Sequence, residues 1–146
     1  MPSIPFFSLF LKYQVPHLLP WYVLAAQVRW ESAYDPSAIS SAGAQGLAQF
    51  MPSTWAEVGD GDPFDPEASI RAQAKYMTYL CEFVATVAKP GLAWAICAYT
   101  WGPGNVKRAK TWTDVPIAVK RHVKRVLKEA SAMQNTHASL SPLLLG

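Results

Sequence analysis

Three short segments of this chain hold residue types that could do chemistry. The first is Trp30-Glu31-Ser32-Ala33-Tyr34. Glu31 falls in the last turn of an apolar helical segment, where the carbonyl end of the helix dipole disfavours negative charge. Val28, Trp30 and Tyr34 add apolar and aromatic surface that would strip water from it. Both effects favour a protonated carboxyl, the form a general acid needs. The second segment is Gly43-Ala44-Gln45-Gly46-Leu47-Ala48-Gln49-Phe50-Met51-Pro52. Gly43 and Gly46 followed by Gln49 suggest a loop whose backbone approaches a ligand, with an amide that can donate to and accept from hydroxyls and acetamides. The third is Ala98-Tyr99-Thr100-Trp101-Gly102-Pro103-Gly104, where a helix delivers a Tyr and a Trp into a Gly/Pro turn, a fit for stacking on sugar rings. Each segment alone also has a plain structural reading: a surface glutamate, a helix connection, a capped helix with core aromatics.

The elements that must position these residues read as helices. Leu18–Ala33 has Pro20 near its start, where a missing N–H costs nothing, and Leu24, Val28 and Glu31 share one face. Asp35-Pro36 should end it, because the residue before proline avoids the α region. Pro52–Val58 reads as a short helix stopped at Gly59, followed by the acidic loop Gly59–Phe64. Asp65-Pro66-Glu67 is an N-cap, a first-turn proline and a first-turn acid. The long helix it opens carries Ile70, Ala74, Met77, Cys81, Val84 and Ala88 on one stripe. A further apolar helix spans about Leu92–Tyr99. The last is expected to be capped by Asp114, with Val115, Val119, Val123, Val126, Leu127 and Ala130 inward and Lys120, Arg121, Lys124, Arg125 and Lys128 outward. No stretch alternates with period two, so the chain is expected to be all-α: a domain at 18–130, an N-terminal extension at 1–17 packing on it, and a poorly ordered tail at 131–146. The apolar Leu143–Leu145 in that tail has no evident purpose.

Composition agrees with one folded domain. The chain has 146 residues, 51% hydrophobic and only 16% charged, which excludes a disordered protein. The apolar stretch Ile4–Val28 is broken by Lys12, His17 and three prolines, which excludes a membrane span there. With no basic residue before it and no clear cleavage site after it, a signal peptide is not expected, and the protein reads as soluble and made in the cytoplasm. Net charge is +3, but residues 1–106 hold five basic and eight acidic side chains and residues 107–146 eight basic and two acidic. The last third would feel a polyanion first. Cys81 and Cys97, with no Cys/His cluster, leave two readings: buried thiols, or one disulfide between adjacent helices. No metal site and no cofactor is expected.

The order and spacing of the three segments resemble the lytic transglycosylase (SLT) domain, glycoside hydrolase family 23, which shares its lysozyme-like fold with goose-type lysozyme. The matching positions are Glu31-Ser32, Tyr34, Pro36, Ala38, Ser40, Gly43-Ala44, Gly46-Leu47, Gln49, Pro52 and Thr54. Phe64-Asp65-Pro66-Glu67, Ala98-Tyr99, Gly102-Pro103-Gly104 and the closing Val123-Lys124-Arg125-Val126 follow in order, so that the resemblance covers roughly 18–130. Ala48 stands where Met is usual, Thr100 where Asn is usual, Ser69 where Asn is frequent and His122 where Tyr is usual.

The resemblance implies a lysozyme-like bundle with a cleft, no cofactor, and peptidoglycan glycan strands as substrate, met in the periplasm or cell wall. It implies non-hydrolytic cleavage of the MurNAc–GlcNAc β-1,4 bond to a 1,6-anhydro product, with Glu31 as acid and then base. Ser32, Gly46, Gln49, Tyr99 and Thr100 would bind the sugar or position the acid, Tyr99 bonding near Glu31. Asp35, Glu57, Asp60 and Asp62 are poor candidates for the second carboxyl that most glycosidases need. The rival readings are a hydrolysing goose-type lysozyme and a non-catalytic wall-binding or virion module. Nucleic-acid binding by the basic last helix is less favoured than a solvated face, and neither stable membrane insertion nor a stable oligomer is expected. A wall substrate without a visible export signal fits a phage lysis enzyme released through a holin, a virion component, or a fragment of an exported protein.

Overall fold

Apolar side chains on nearly every side of Trp21–Ser32 make this helix, α2, the centre of the molecule: Trp21 and every residue from Val23 to Val28 are buried. The computed structural model describes the backbone of residues 3–145 and the side chains of residues 3–137. In chain order the other helices are α1 (Phe7–Tyr13), α3 (Pro52–Val58), α4 (Pro66–Thr86), α5 (Leu92–Trp101), α6 (Pro103–Arg108) and α7 (Ile117–Leu145), with a 3₁₀ turn at Trp112–Asp114. Among the described residues there is no strand, only isolated bridges pairing Gln45 with Ile39 and Phe50 and Val15 with Leu19.

The local signals act as their chemistry dictates. Asp65 caps α4 by accepting from the Ala68 N–H at 2.9 Å, with Pro66 in the first helical position. Glu67 in that first turn accepts from Tyr13 Oη at 2.7 Å and from Lys12 Nζ, which ties α1 to α4. Gly91 and Gly102, with φ of 111° and 102°, bracket α5 in a conformation that side chains resist.

Two apolar cores flank α2. One gathers Leu19, Val23 and Ala26 with Met77, Leu80 and Val84 of α4, Ile96 and Cys97 of α5 and Val123 and Val126 of α7. The other sets Phe10 of α1 against Leu24, Val28, Leu47 and Ile70. Between α2 and α4 lies a buried amide pair, in which Gln73 Nε2 donates to Gln27 Oε1 at 2.8 Å and to the Leu24 carbonyl at 3.1 Å. Cys81 and Cys97 are both free thiols, and burial pushes the Cys97 thiol up to about 11.

Several boundaries differ from the sequence reading. Helix α2 stops at Ser32, three residues ahead of Asp35, because Ala33 and Tyr34 turn into the left-handed region at φ 52° and 63°. Helix α4 ends at Thr86, and Ala88 is exposed beyond it in the left-handed region instead of completing the stripe. Asp114 does not cap the last helix; with Thr111 it forms a reciprocal capping box on the 3₁₀ turn, and α7 begins at Ile117. The stretch from Ser131, expected to be poorly ordered, continues α7 as helix to Leu145. Met133 packs on the core, and the His137 ring meets Trp21 edge-on at 5.5 Å. The side chains of Leu143–Leu145 lie outside the described residues.

Candidate active site

The exit of α2 and the loop that follows α2 build one wall of a cleft. A cavity of about 600 Å³ is lined by Arg29, Trp30, Glu31, Ser32, Ala33, Ala38, Ile39, Ser40 and Gln49. A second, of about 250 Å³, is lined by Gln49, Phe50, Met51, Thr54, Tyr76, Tyr99, Thr100, Trp101, Gly102 and Pro103. Gln49 belongs to both, so the two join across it into a groove reaching from α2 to the α5–α6 turn. The structure thus brings Glu31, Ser32, Gln49, Tyr99 and Thr100 to one groove.

Glu31 is the one carboxylate among the described residues that line either cavity. Its side chain is 16% exposed, and the Nε2 of His122, on α7, lies 3.1 Å from its Oε1. The other acidic side chains of this region are tied to backbone turns or point to solvent. Asp35 accepts from the Ser37 N–H at 3.0 Å and from Ser37 Oγ at 2.8 Å, and these bonds hold its carboxyl below the usual carboxylate range. Asp62 accepts from the Phe64 N–H at 2.8 Å, while Glu57 and Asp60 are exposed. No group of three or more His, Cys, Asp or Glu that could hold a metal occurs among the described residues.

Gln49 is held in the left-handed region at φ 54°, and its Nε2 donates to the carbonyls of Gly46 at 3.0 Å and Ala38 at 3.2 Å. Its amide hydrogens therefore shape the loop, and the carbonyl oxygen is what it can present to a sugar as acceptor. Ser32 Oγ donates to the Val28 carbonyl at 3.2 Å, so it too reaches the groove chiefly as an acceptor. Tyr99 Oη donates to the Ala48 carbonyl at 2.7 Å and not to Glu31. Packing around the phenol, with the charge of Glu31 next and Tyr76 after it, pushes Tyr99 well above its ordinary range. Tyr99 thus fixes the Gln49 loop while sensing the carboxylate.

Gly46 departs from the expected role. It does not line the groove, and the backbone that approaches it closely is the chain's own. A Cβ there would sit 2.1 Å from the Pro63 carbonyl oxygen, at a φ of +76°. Ser69, singled out only as a departure, is fully buried and accepts the Ala48 N–H at 3.1 Å, pinning the same loop to α4. Sequence reasoning missed this bond, as it missed the contact of His122 with Glu31. The signal for both was a polar residue in the apolar stripe of a helix.

A protein-family model described as the transglycosylase SLT domain matches residues 8–116. The membrane-bound lytic murein transglycosylase F of Maricaulis maris is 41% identical over 92 residues, covering 62% of this chain and 20% of that protein. That of Alteromonas mediterranea is 34% identical over 109 residues, 73% of this chain and 23% of its own length. The 70-kDa soluble lytic transglycosylase of Escherichia coli superposes with a TM-score of 0.72 at 26% identity, over 88% of this chain and 24% of that one. The complex of the 70-kDa soluble lytic transglycosylase with bulgecin A gives a TM-score of 0.77 at 24% identity, a likeness of fold. The chain therefore spans about a fifth to a quarter of the length of these relatives. With the family model covering most of the chain and the fold agreeing, the chain belongs to the transglycosylase SLT domain family.

Proposed function

We propose that this chain is a peptidoglycan lytic transglycosylase that cleaves the MurNAc–GlcNAc β-1,4 bond and leaves a 1,6-anhydroMurNAc end. The observation that carries this reading is the solitary carboxylate on the groove walls. Hydrolysis with inversion or retention calls for two carboxyl groups about 5–9.5 Å apart across the scissile bond. Among the described residues no second carboxylate lines the groove, and one carboxyl suffices if the sugar is its own nucleophile. Glu31 gives its proton to the glycosidic oxygen as the C1–O bond breaks, the bonding pair leaving with the GlcNAc O4. The resulting carboxylate takes the proton of the MurNAc O6 hydroxyl as O6 bonds to C1. The proton count of Glu31 is restored and no water is consumed. Gln49 and Ser32 supply acceptors to sugar hydroxyls, Thr100 a hydroxyl at the far end of the groove, and Tyr76, Tyr99 and Trp101 its aromatic wall.

Mass spectrometry of digested murein tests the reading: anhydro ends support it, and reducing ends heavier by one water overturn it. Glu31→Gln keeps the shape and removes the proton, so lysis should fall at least about a hundredfold while sedimentation with murein persists. Lysis at the parental rate would remove Glu31 from the mechanism, and loss of binding alone would favour a wall-binding module. The biological setting we infer is lysis or wall penetration by a phage. The curated relatives matched are named membrane-bound lytic murein transglycosylases of bacteria, and gene neighbours separate the two settings. Holin or tail genes beside this gene would support the phage setting, and an operon of wall-synthesis genes would oppose it.

A further inference from the structure

His122 stands on the second turn of α7, where that helix packs along α2. Its imidazole is 18% exposed, Nε2 is 3.1 Å from Glu31 Oε1, and that nitrogen is buried without the alignment of a hydrogen bond to any group. The other groups about this pair are accounted for. On α2, the Arg29 guanidinium pairs with Glu129 of α7. On α7, the Arg125 guanidinium lies 5.4 Å from the Trp30 ring centroid. On α5, the Tyr99 hydroxyl is bonded to the Ala48 carbonyl. The imidazole is thus the group set beside the Glu31 carboxyl, with Nε2 3.1 Å from Oε1.

We propose that His122 is a positioning residue for Glu31, holding Oε1 through Nε2 and coupling the acid's protonation to the charge of the imidazole. The inference rests on Glu31 being the acid. A small rotation of either side chain aligns the N–H with the carboxyl oxygen, which leaves the second oxygen for the glycosidic bond and O6. An imidazolium this close favours the carboxylate over the carboxylic acid. It stabilises the carboxylate left behind when the proton has passed to the glycosidic oxygen. No proton is gained or lost by His122 over the cycle, since Glu31 donates to the glycosidic oxygen and recovers a proton from O6.

The test compares kcat against pH on short soluble glycan strands for the parent, His122→Gln and His122→Leu, each first checked for a parental thermal melt. Gln keeps a donor near Oε1 but never charges. The alkaline limb of kcat, where the acid is lost, should therefore move up by about one pH unit. Leu removes the contact, so kcat should fall roughly ten- to a hundredfold with KM changed less than about twofold. Superimposable profiles for parent and His122→Gln, or parental kcat in His122→Leu, overturn the proposal. A second measurement stands apart from activity. The ¹⁵N resonance of His122 Nε2 should move between the parent and Glu31→Gln, since the group facing that nitrogen changes from a carboxyl to an amide. An unchanged resonance overturns the pairing even if murein is cleaved. A shifted one upholds it even if the products contain no anhydro ends, so failure of the functional reading is distinguishable from failure of this one.

Discussion

Tyr34 leaves α2 with a hydroxyl that is buried and has no hydrogen-bond partner among the described residues, on a backbone held at φ 63°. Its ring meets Phe10 edge-on and packs against the core between α1 and α2, so the aromatic ring is what the fold uses. An unbonded buried hydroxyl costs about 1–3 kcal/mol, and Tyr34→Phe should therefore stabilise the protein by roughly 1 kcal/mol, raising Tm by about 2–4 °C. Burial first, and the charge of Glu129 after it, push the phenol up to about 12. A folded value above the unfolded one leaves stability intact below pH 10 and removes it as pH rises toward 12, since the unfolded chain ionises first. The Phe variant should lose less in that window, though Tyr76 and Tyr99 keep part of the slope; a steeper loss in the variant, followed by circular dichroism, would contradict this. Glu31, Gln49 and Tyr99 could be picked out in the sequence because their chemistry is written in their side chains. The partners of Ser69 and His122 could not, because each contact joins segments far apart in the chain, and a single sequence does not reveal that pairing.

At the scale of elements, the loop between α2 and α3 is positioned by its backbone geometry as well as by the side chains of Gln49, Ser69 and Tyr99. Gly43 and Gly46 both have positive φ, 97° and 76°, but differ in their surroundings. A Cβ at Gly43 meets nothing within 4 Å, whereas one at Gly46 collides with the Pro63 carbonyl. Gly43→Ala should therefore cost only the left-handed strain, about 1–2 kcal/mol. Gly46→Ala must also displace the loop at Pro63 or the segment carrying Gln49, so its urea midpoint should fall further and murein cleavage should drop with it. Equal midpoints for the two variants would show that the close approach at Gly46 has no energetic weight. Helix starts were legible where a cap and proline coincide, as at Asp65-Pro66, because that signal is local. Helix α1, six residues of α6 and the full run of α7 were not. Short helices are stabilised by what they pack against, and the polar run after Ser131 is held by contacts of Met133 and His137 that no periodicity announces.

Across the whole molecule, charge divides by position: the first 106 residues carry an acidic excess and the last 40 a basic one. Much of the positive charge lies along α7, where Arg121, Lys124, Arg125 and Lys128 are exposed and Lys120 is half-buried, while Val123, Val126 and Ala130 of the same helix are in the core. Because α7 packs along α2, this basic face adjoins the α2 end of the groove, and Arg125 reaches the Trp30 ring at its rim. Murein carries carboxylates, so under the proposed function the face should draw the protein to the wall by long-range attraction, which salt screens beyond about 8 Å at physiological ionic strength. Attraction of this kind raises encounter rates and adds little to the chemical step. Replacing Lys120, Lys124 and Lys128 together by Gln leaves Glu31, His122 and Arg125 in place. The triple variant should be slower than the parent on whole murein at low salt and nearly equal to it on a short soluble glycan strand. The gap on murein should close as salt is added, because both proteins then approach the wall unaided. Rates measured by turbidity loss for murein and by product release for the soluble strand, over a salt series, give both comparisons. If the variant loses equally on both substrates at every salt concentration, the lysines act within the fold or the groove, and attraction to the wall has to be sought in another part of the surface.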